Sequence, residues 1–302
     1  MAAMVRHPAP AAPAAASGPD VGSAGSASLA AAGLGPADGL RGPGLSRRRL
    51  LGGAGLAGLL AACAGIGRSP VAPTGTLRVG VYPGSPTSLV RDAAGQARGI
   101  TVELGDELGR RLGVPVQRIE FPRLAAVLEA LRNGAVDFTV TNASPARARD
   151  MAFSPPLLSL ELGVLALPGS RVSSAATMDQ AGGRIGVSQG SSSQAALGQR
   201  LKQSRVVPAA SLAEARQMLS RGEIDAFATN KGILFEMADA LPGARVLDGA
   251  WGAEHLAIAI PLGREAALDE IRRFAADVTA SGLLRGAAER AGLRGFVPAG
   301  GR

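Results

Sequence analysis

The stretch Val136-Asp-Phe-Thr-Val-Thr-Asn-Ala-Ser-Pro-Ala-Arg-Ala-Arg-Asp-Met-Ala-Phe-Ser154 decides how this chain is organised. Its beginning alternates apolar and polar residues and predicts a short strand. Asn142, Ser144 and the proline that follows predict a turn, and Arg147 then falls on the first turn of a helix. A polar strand end with an arginine suits a carboxylate, because a guanidinium offers two parallel N–H donors. The alternative interpretation is that Arg147 and Arg149 are ordinary surface arginines.

Strand and helix patterns alternate along the chain, and the alternation occurs twice. The repeat is clearest where Leu131-x-x-Gly134-x-Val136-Asp137 recurs as Leu219-x-x-Gly222-x-Ile224-Asp225. Such alternation predicts an α/β fold with mostly parallel sheets. We therefore expect two similar lobes, with a ligand at the carboxyl ends of their strands, between them. The other predicted elements are strands at 77–81, 184–187 and 256–260 and helices at 101–112, 124–131 and 267–278.

The second lobe carries a candidate anion site in the run Gly186-Val-Ser-Gln-Gly190-Ser191-Ser192. A strand ends here and a helix is predicted to begin. The free N–H groups of a helix start, together with the hydroxyls of Ser191 and Ser192, can bind an anion. The alternative is a plain serine N-cap.

These motifs resemble those of the bacterial extracellular solute-binding proteins of family 3, the polar amino-acid type. That family has a strand ending in Asp-Leu, then Thr-x-Thr-Pro-Glu-Arg and Phe-Ser. The residues here that match are Asp137-Phe138, Asn142-Ala-Ser144-Pro145-Ala-Arg147 and Phe153-Ser154, in a run shorter than the usual form. The resemblance implies an α/β, two-lobed periplasmic-binding-protein fold (type II) with a two-strand hinge. Lobe 1 would comprise 75–157 and 251–302, and lobe 2 would comprise 158–250.

The resemblance also implies a function. Such a protein is an extracytoplasmic receptor that captures a small polar or anionic solute, amino-acid-like or an organic acid. It delivers this solute to the membrane permease and ATPase of an ABC importer, works as a monomer and needs no cofactor. The implied ligand-binding residues are Thr141, Asn142, Ser144, Arg147, Ser191, Ser192 and Asn230, with Tyr82 and Ser85 near the place of an aromatic that covers the ligand.

Two departures from the family pattern concern the ligand. The family binds the ligand's ammonium with an aspartate, but Asn230 stands at that place and Lys231 follows it. An amide cannot neutralise an ammonium, and Lys231 would repel one if it points inward. The covering aromatic is missing, since Ser85 aligns there. We therefore expect a carboxylate or another anion rather than an ordinary α-amino acid, unless Lys231 is a solvated surface lysine.

Other classes of function have less support. After residue 63 the sequence holds one histidine, His255, and no cluster of histidine and cysteine, so zinc and haem sites lack ligands. A dehydratase-like enzyme on the same fold would need a carboxylate in the cleft, for which Glu254 is the candidate. A ligand-sensing receptor is a further alternative. The net charge is +8, of which residues 1–63 contribute +3. In the rest of the chain the basic residues are spread without interleaved aromatics, which disfavours binding to nucleic acid.

The N-terminal part differs in composition from the rest. Residues 1–45 are mostly Ala, Pro, Gly and Ser, typical of a disordered extension or of a start codon placed too early. Residues 46–63 resemble a twin-arginine export signal whose apolar stretch is too short for a membrane span. It ends in Leu60-Ala-Ala-Cys63, which resembles a lipobox and predicts acylation of Cys63. With 64–74 as a tether, the sequence predicts an extracytoplasmic protein attached to the membrane by lipid.

Overall fold

The computed structural model describes residues 69–180 and 182–298. In chain order the strands and helices are β1 (Leu77–Val81), β2 (Val90–Arg91), β3 (Ala97–Arg98), α1 (Ile100–Leu112), β4 (Val116–Glu120), α2 (Leu124–Arg132), β5 (Thr139–Asn142), β6 (Met151–Phe153), β7 (Leu158–Ala166), β8 (Arg184–Ser188), α3 (Ser192–Arg200), β9 (Arg205–Ala209), α4 (Leu212–Ser220), β10 (Ala226–Asn230), α5 (Lys231–Asp239), β11 (Arg245–Val246), β12 (Gly252–Pro261), α6 (Glu265–Ala280), α7 (Leu283–Arg290) and β13 (Phe296–Pro298). Within these ranges, none of the helices has the length and apolar character needed to cross a membrane.

The first lobe is built on β1. This strand pairs in parallel with β4, and a parallel bridge joins Val79 to Phe138, just before β5. Antiparallel β12 then pairs with both β5 and β6. Helices α1, α6 and α7 cover this lobe with buried apolar side chains such as Leu104, Ile271 and Leu284. The described part of the expected tether, 69–74, packs here too, with Val71 and Ala72 buried.

The second lobe repeats this plan. Its central strand β8 lies between β9 and β10 and runs parallel to both. On the other side of β10, strand β7 pairs in the antiparallel sense. The repeated aspartates make equivalent hydrogen bonds in the two lobes. Asp137 accepts hydrogen bonds from the backbone and side chain of Arg78, and Asp225 accepts the same pair from Arg184.

Two long strands, β7 and β12, join the lobes. They pair with each other from Leu158 and Leu256 to Leu162 and Gly252. Beyond this shared segment β12 continues along β5 of the first lobe, whereas β7 continues along β10 of the second. These are the expected hinge strands, and the two-lobed α/β fold is confirmed.

The strand expected at 136–140 is formed two to three residues later, as β5. The N–H groups of Asp137 and Phe138 both donate to the carbonyl of Arg78, at 2.7 and 3.2 Å. This shared acceptor ties the segment to β1 but interrupts the regular spacing of a ladder. The later strand carries Thr141 and Asn142 further towards the space between the lobes.

The two lobes touch each other. Tyr82 and Val127 of the first lobe lie in one buried apolar cluster with Leu165, Leu212 and Ile233 of the second. The lobes are therefore in contact, an arrangement called closed here, and Tyr82, Leu212 and Ile233 of this cluster also line the cavity described next.

Candidate ligand-binding site

A small cavity lies between the lobes. Its volume is about 40 Å³, room for a few water molecules or a compact solute. It brings together every expected ligand-binding residue except Ser85 and Ser144. The lining residues are Tyr82, Thr87, Pro122, Arg123, Leu124, Val140, Thr141, Asn142, Arg147, Ser188, Ser191, Ser192, Ser193, Ser211, Leu212, Thr229, Asn230, Ile233, Glu254 and Leu256.

Arg147 enters the cavity from the first lobe. It begins a short 3₁₀ turn, Arg147–Arg149, rather than the expected α-helix, and only 9% of its surface is exposed. Its Nη1 donates to Thr141 Oγ1 at 2.8 Å and to the carbonyl of Asn142 at 3.2 Å. Its Nη2 is buried with no protein partner. Arg149, two residues on, is exposed, so the surface interpretation holds for Arg149 and not for Arg147.

The unpartnered Nη2 has a direct chemical meaning. Burial lowers the pKa of Arg147, while the nearby charges of Glu254 and Tyr82 act in the opposite direction. An arginine stays a cation in a protein. A buried cationic N–H without an acceptor costs free energy, which an anionic group in the cavity would recover.

Asn230 and Glu254 form a second polar pair in the cavity. Asn230 caps α5, since its Oδ1 accepts from the Ile233 N–H at 3.0 Å. With its amide so oriented, Nδ2 donates to Glu254 Oε1 at 2.7 Å. Glu254 is 8% exposed, and burial raises its pKa although Arg147 and Asn230 act to lower it. A carboxyl group therefore lies directly beside the amide at position 230.

Lys231 points away from the cavity. Its Nζ lies 2.5 Å from Glu161 Oε2, and it does not line the cavity. Lys231 is therefore neither a cavity residue nor the solvated surface lysine of the alternative: its side chain is 18% exposed and ion-paired. The repulsion of an ammonium that an inward Lys231 would cause does not arise.

An aromatic side chain does line the cavity, although Ser85 aligns with the family's aromatic. Tyr82 follows β1 and is 8% exposed. Its hydroxyl donates to Ser85 Oγ at 3.3 Å, and Ser85 Oγ lies 2.9 Å from Thr87 Oγ1. Burial raises the pKa of the Tyr82 hydroxyl. Ser85 thus supports Tyr82 from behind instead of lining the cavity.

The helix start at Ser191 and Ser192 agrees with both interpretations of the sequence, a serine N-cap and a part of the ligand-binding site. Ser191 is the N-cap of α3, its Oγ accepting from the Gln194 N–H at 3.1 Å, and the Gln194 side chain accepts from the Gly190 N–H at 2.6 Å. Both serines also line the cavity. Ser144 lies outside it, in a groove that meets the cavity at Arg147, Ser191 and Ser192.

Sequence reasoning missed one charged residue of the site. Arg123, the residue before α2, lines the cavity, and its Nε is buried without a partner. Its only sequence signal is a basic residue at the predicted start of a helix, which on most helices would be solvated.

Two α/β lobes joined by crossing strands, with a polar cavity between them, define a two-lobed solute-binding protein. The family model for bacterial extracellular solute-binding proteins, family 3, matches residues 77–291. The chain therefore belongs to this family.

Solved structures with the same fold are also similar to this chain. The solute receptor for L-cysteine of Neisseria gonorrhoeae is 25% identical, with a TM-score of 0.65, covering 72% of this chain and 90% of that one. The cysteine-binding protein from Campylobacter jejuni is 19% identical, with a TM-score of 0.65 and coverages of 72% and 89%. Holo ArgBP from T. maritima is 20% identical, with a TM-score of 0.62 and coverages of 68% and 91%. A search of curated proteins found no match.

Proposed function

We propose that this protein is the substrate-binding component of an ABC importer and that it captures a small anionic solute, amino-acid-like or an organic acid, between its lobes. The observation that supports the proposal is the buried, unpartnered Nη2 of Arg147 in the cavity. A carboxylate placed there would accept a charge-assisted hydrogen bond. The helix start at Ser191 and Ser192 would face the same anionic group from the second lobe.

The expected loss of preference for an amino group needs revision. It rested on an amide at position 230 and on an inward Lys231. Glu254 supplies a carboxyl beside that amide, and Lys231 points elsewhere. A solute with an ammonium would find its acceptor in ionised Glu254, and an organic acid without one would suit the protonated form that burial favours. Both kinds of solute therefore belong to the proposal.

The membership of an extracellular solute-binding family supports a periplasmic location. We further propose that the protein acts as a monomer, anchored through an acylated Cys63, and that it delivers the solute to a membrane permease and its ATPase. Cys63 and the leader lie outside the described residues.

A thermal-shift screen of small organic acids and amino acids would identify the solute, because binding to the folded state alone raises stability. Calorimetry with that solute then compares wild type, Arg147→Ala and Arg149→Ala. Removing one partner of a desolvated charge pair costs about 2–5 kcal/mol, so Arg147→Ala should weaken binding by about 30- to several-thousand-fold. The exposed Arg149 is the matched control and should change the affinity little. Equal affinities for wild type and Arg147→Ala would remove Arg147 from the site.

One observation favours a second candidate function, a dehydratase-like enzyme. Burial raises the pKa of Glu254, and a carboxylic acid kept protonated can serve as a general acid. Analysis of the solute recovered after incubation separates the two functions. A receptor returns it unchanged with wild type and with Glu254→Gln, whereas turnover by wild type that is lost in Glu254→Gln would establish the enzyme.

A further inference from the structure

We propose that the solute carries two acidic groups and that Arg123 binds the second one. This inference rests on the solute-binding function proposed above and narrows its ligand to compact diacids, with or without an amino group. Arg147 would hold one acid and Arg123 the other.

The surroundings of Arg123 support the binding of an anionic group of the solute at this residue. Its backbone is extended, with φ −160° and ψ 163°, directly before the first turn of α2. Among the described residues, no carboxylate forms an ion pair with it within 4.0 Å, and its Nε is buried without an acceptor. A guanidinium presents Nε and Nη2 as a fork that fits a carboxylate. The adjacent N-terminus of α2 also favours a negative charge at this place.

The balance of charged residues that line the cavity also favours a solute with two acidic groups. Within the described part of the chain, the charged residues that line the cavity are Arg123, Arg147 and Glu254. The other lining residues are polar or apolar, so two cations face a single carboxyl group. A monoacid would satisfy one guanidinium and leave the second without an acceptor. A diacid satisfies both, and the small volume of the cavity favours a short chain.

Closure keeps Arg123 at the cavity. A Cβ on Gly190 of the second lobe would lie 2.6 Å from Ala125 Cβ, so the start of α2 lies directly against the turn that precedes α3. Arg123 is two residues before this contact. Its side chain is therefore held where the two lobes meet, beside the helix start at Ser191 and Ser192.

Matched pairs of acids and amides test the inference on the full-length protein. Aspartate is compared with asparagine, and succinate with succinamate, because each amide keeps the size of its acid but loses one charge. Hydrogen bonds to charged groups imply a preference of wild type for the acid of about 10- to 150-fold in at least one pair. Arg123→Gln should bring that ratio close to one, because the acid then loses its cationic partner. Arg132→Gln, an exposed arginine at the other end of α2, is the control and should keep the wild-type ratio.

Each other outcome overturns the inference. An amide that binds wild type as tightly as its acid shows that no second acidic group is recognised. A preference for acid that survives in Arg123→Gln removes Arg123 from this role. Melting temperatures of the unliganded variants establish that they fold, and Arg123→Lys, which keeps the charge, should retain part of the ratio. A further outcome is that none of these acids binds while another solute binds and loses affinity in Arg147→Ala. In that case the inference of a diacid solute is wrong and the proposed receptor function stands. If no solute of the wider screen binds, the receptor function itself fails.

Discussion

Replacing Gly190 by alanine tests whether tight binding requires the lobes to close directly on one another. Gly190 has φ 73°, and a Cβ there would meet Ala125 Cβ of the first lobe at 2.6 Å. That is about 0.8 Å less than the 3.4 Å at which ordinary van der Waals contact begins. Overpacking of this kind costs about 1–3 kcal/mol, and here the cost arises only in the closed form. We therefore expect Gly190→Ala to weaken solute binding by about 5- to 150-fold.

Gly222→Ala is the matched control for backbone strain. Gly222 lies in the same lobe with φ 65° and has no atom within 4 Å of the position of a Cβ. Both variants bear the left-handed strain, about 1–2 kcal/mol, so both should lower the melting temperature of the unliganded protein to a similar extent. Only Gly190→Ala should lose affinity in calorimetry with the solute found by the screen. Unchanged affinity in Gly190→Ala would mean that the solute binds without this contact, and the argument would fail.

Three further expectations concern stability and anchoring. Asp137→Asn removes a fully buried carboxylate bound by two arginines and should cost about 3–5 kcal/mol of unfolding free energy. Asp225→Asn, whose arginine partner is 43% exposed, should cost only about 1 kcal/mol. Equal losses for the two variants on urea unfolding would contradict this expectation. Burial raises the pKa of Glu254 above the ordinary 4.5, so the folded state binds more protons than the unfolded state above about pH 4.5 and loses stability as the pH rises. Glu254→Gln should then match wild type below that pH and exceed it above, and a difference in unfolding free energy that does not vary with pH would refute the assignment. Cys63→Ser should move the protein from the membrane to the soluble fraction, and a wild type that is already soluble would exclude the anchor.

The two lobes could be predicted from sequence because their evidence is local and repeated. In both lobes a helix ends near a glycine, which is followed two residues later by a β-branched residue and then an aspartate. The two copies are Gly134-x-Val136-Asp137 and Gly222-x-Ile224-Asp225. Asp137 and Asp225 then make the same contacts with Arg78 and Arg184. Such a pattern depends only on neighbours in the chain and on the period of each element.

The electrostatics of the cavity could not be predicted in this way, because they depend on which side chains lose contact with water. Arg147 and Arg149 are two residues apart and chemically identical, yet one is buried and the other exposed. Lys231 follows a residue of the cavity and nevertheless binds Glu161 on its outside. Arg123 shows no motif. In each case the direction of the side chain follows from packing between elements that are distant in sequence.

The pairing of Asn230 with Glu254 shows what kind of information was missing. The two residues are 24 positions apart in sequence, but their strands flank β7 on opposite sides. Asn230 pairs with Leu162 and Glu254 with Leu160. Because side chains alternate between the faces of a sheet, residues paired with positions two apart on one strand lie on the same face.

Strand register therefore places the Glu254 side chain of β12 on the same face as position 230 of β10, and the hydrogen bond between the two side chains shows that they meet across β7. The family pattern expects an aspartate at 230, and here the acid comes instead from hinge strand β12, on the far side of β7. A second carboxylate at 230 would face Glu254 at hydrogen-bond distance, where two like charges cannot both be ionised. The amide at 230 is thus the residue that a carboxyl at 254 requires, since it donates to Glu254 while still capping α5. An asparagine that looked like the loss of an ammonium site in the sequence is, in the structure, the hydrogen-bond partner of an acid that lies two strands away in the sheet.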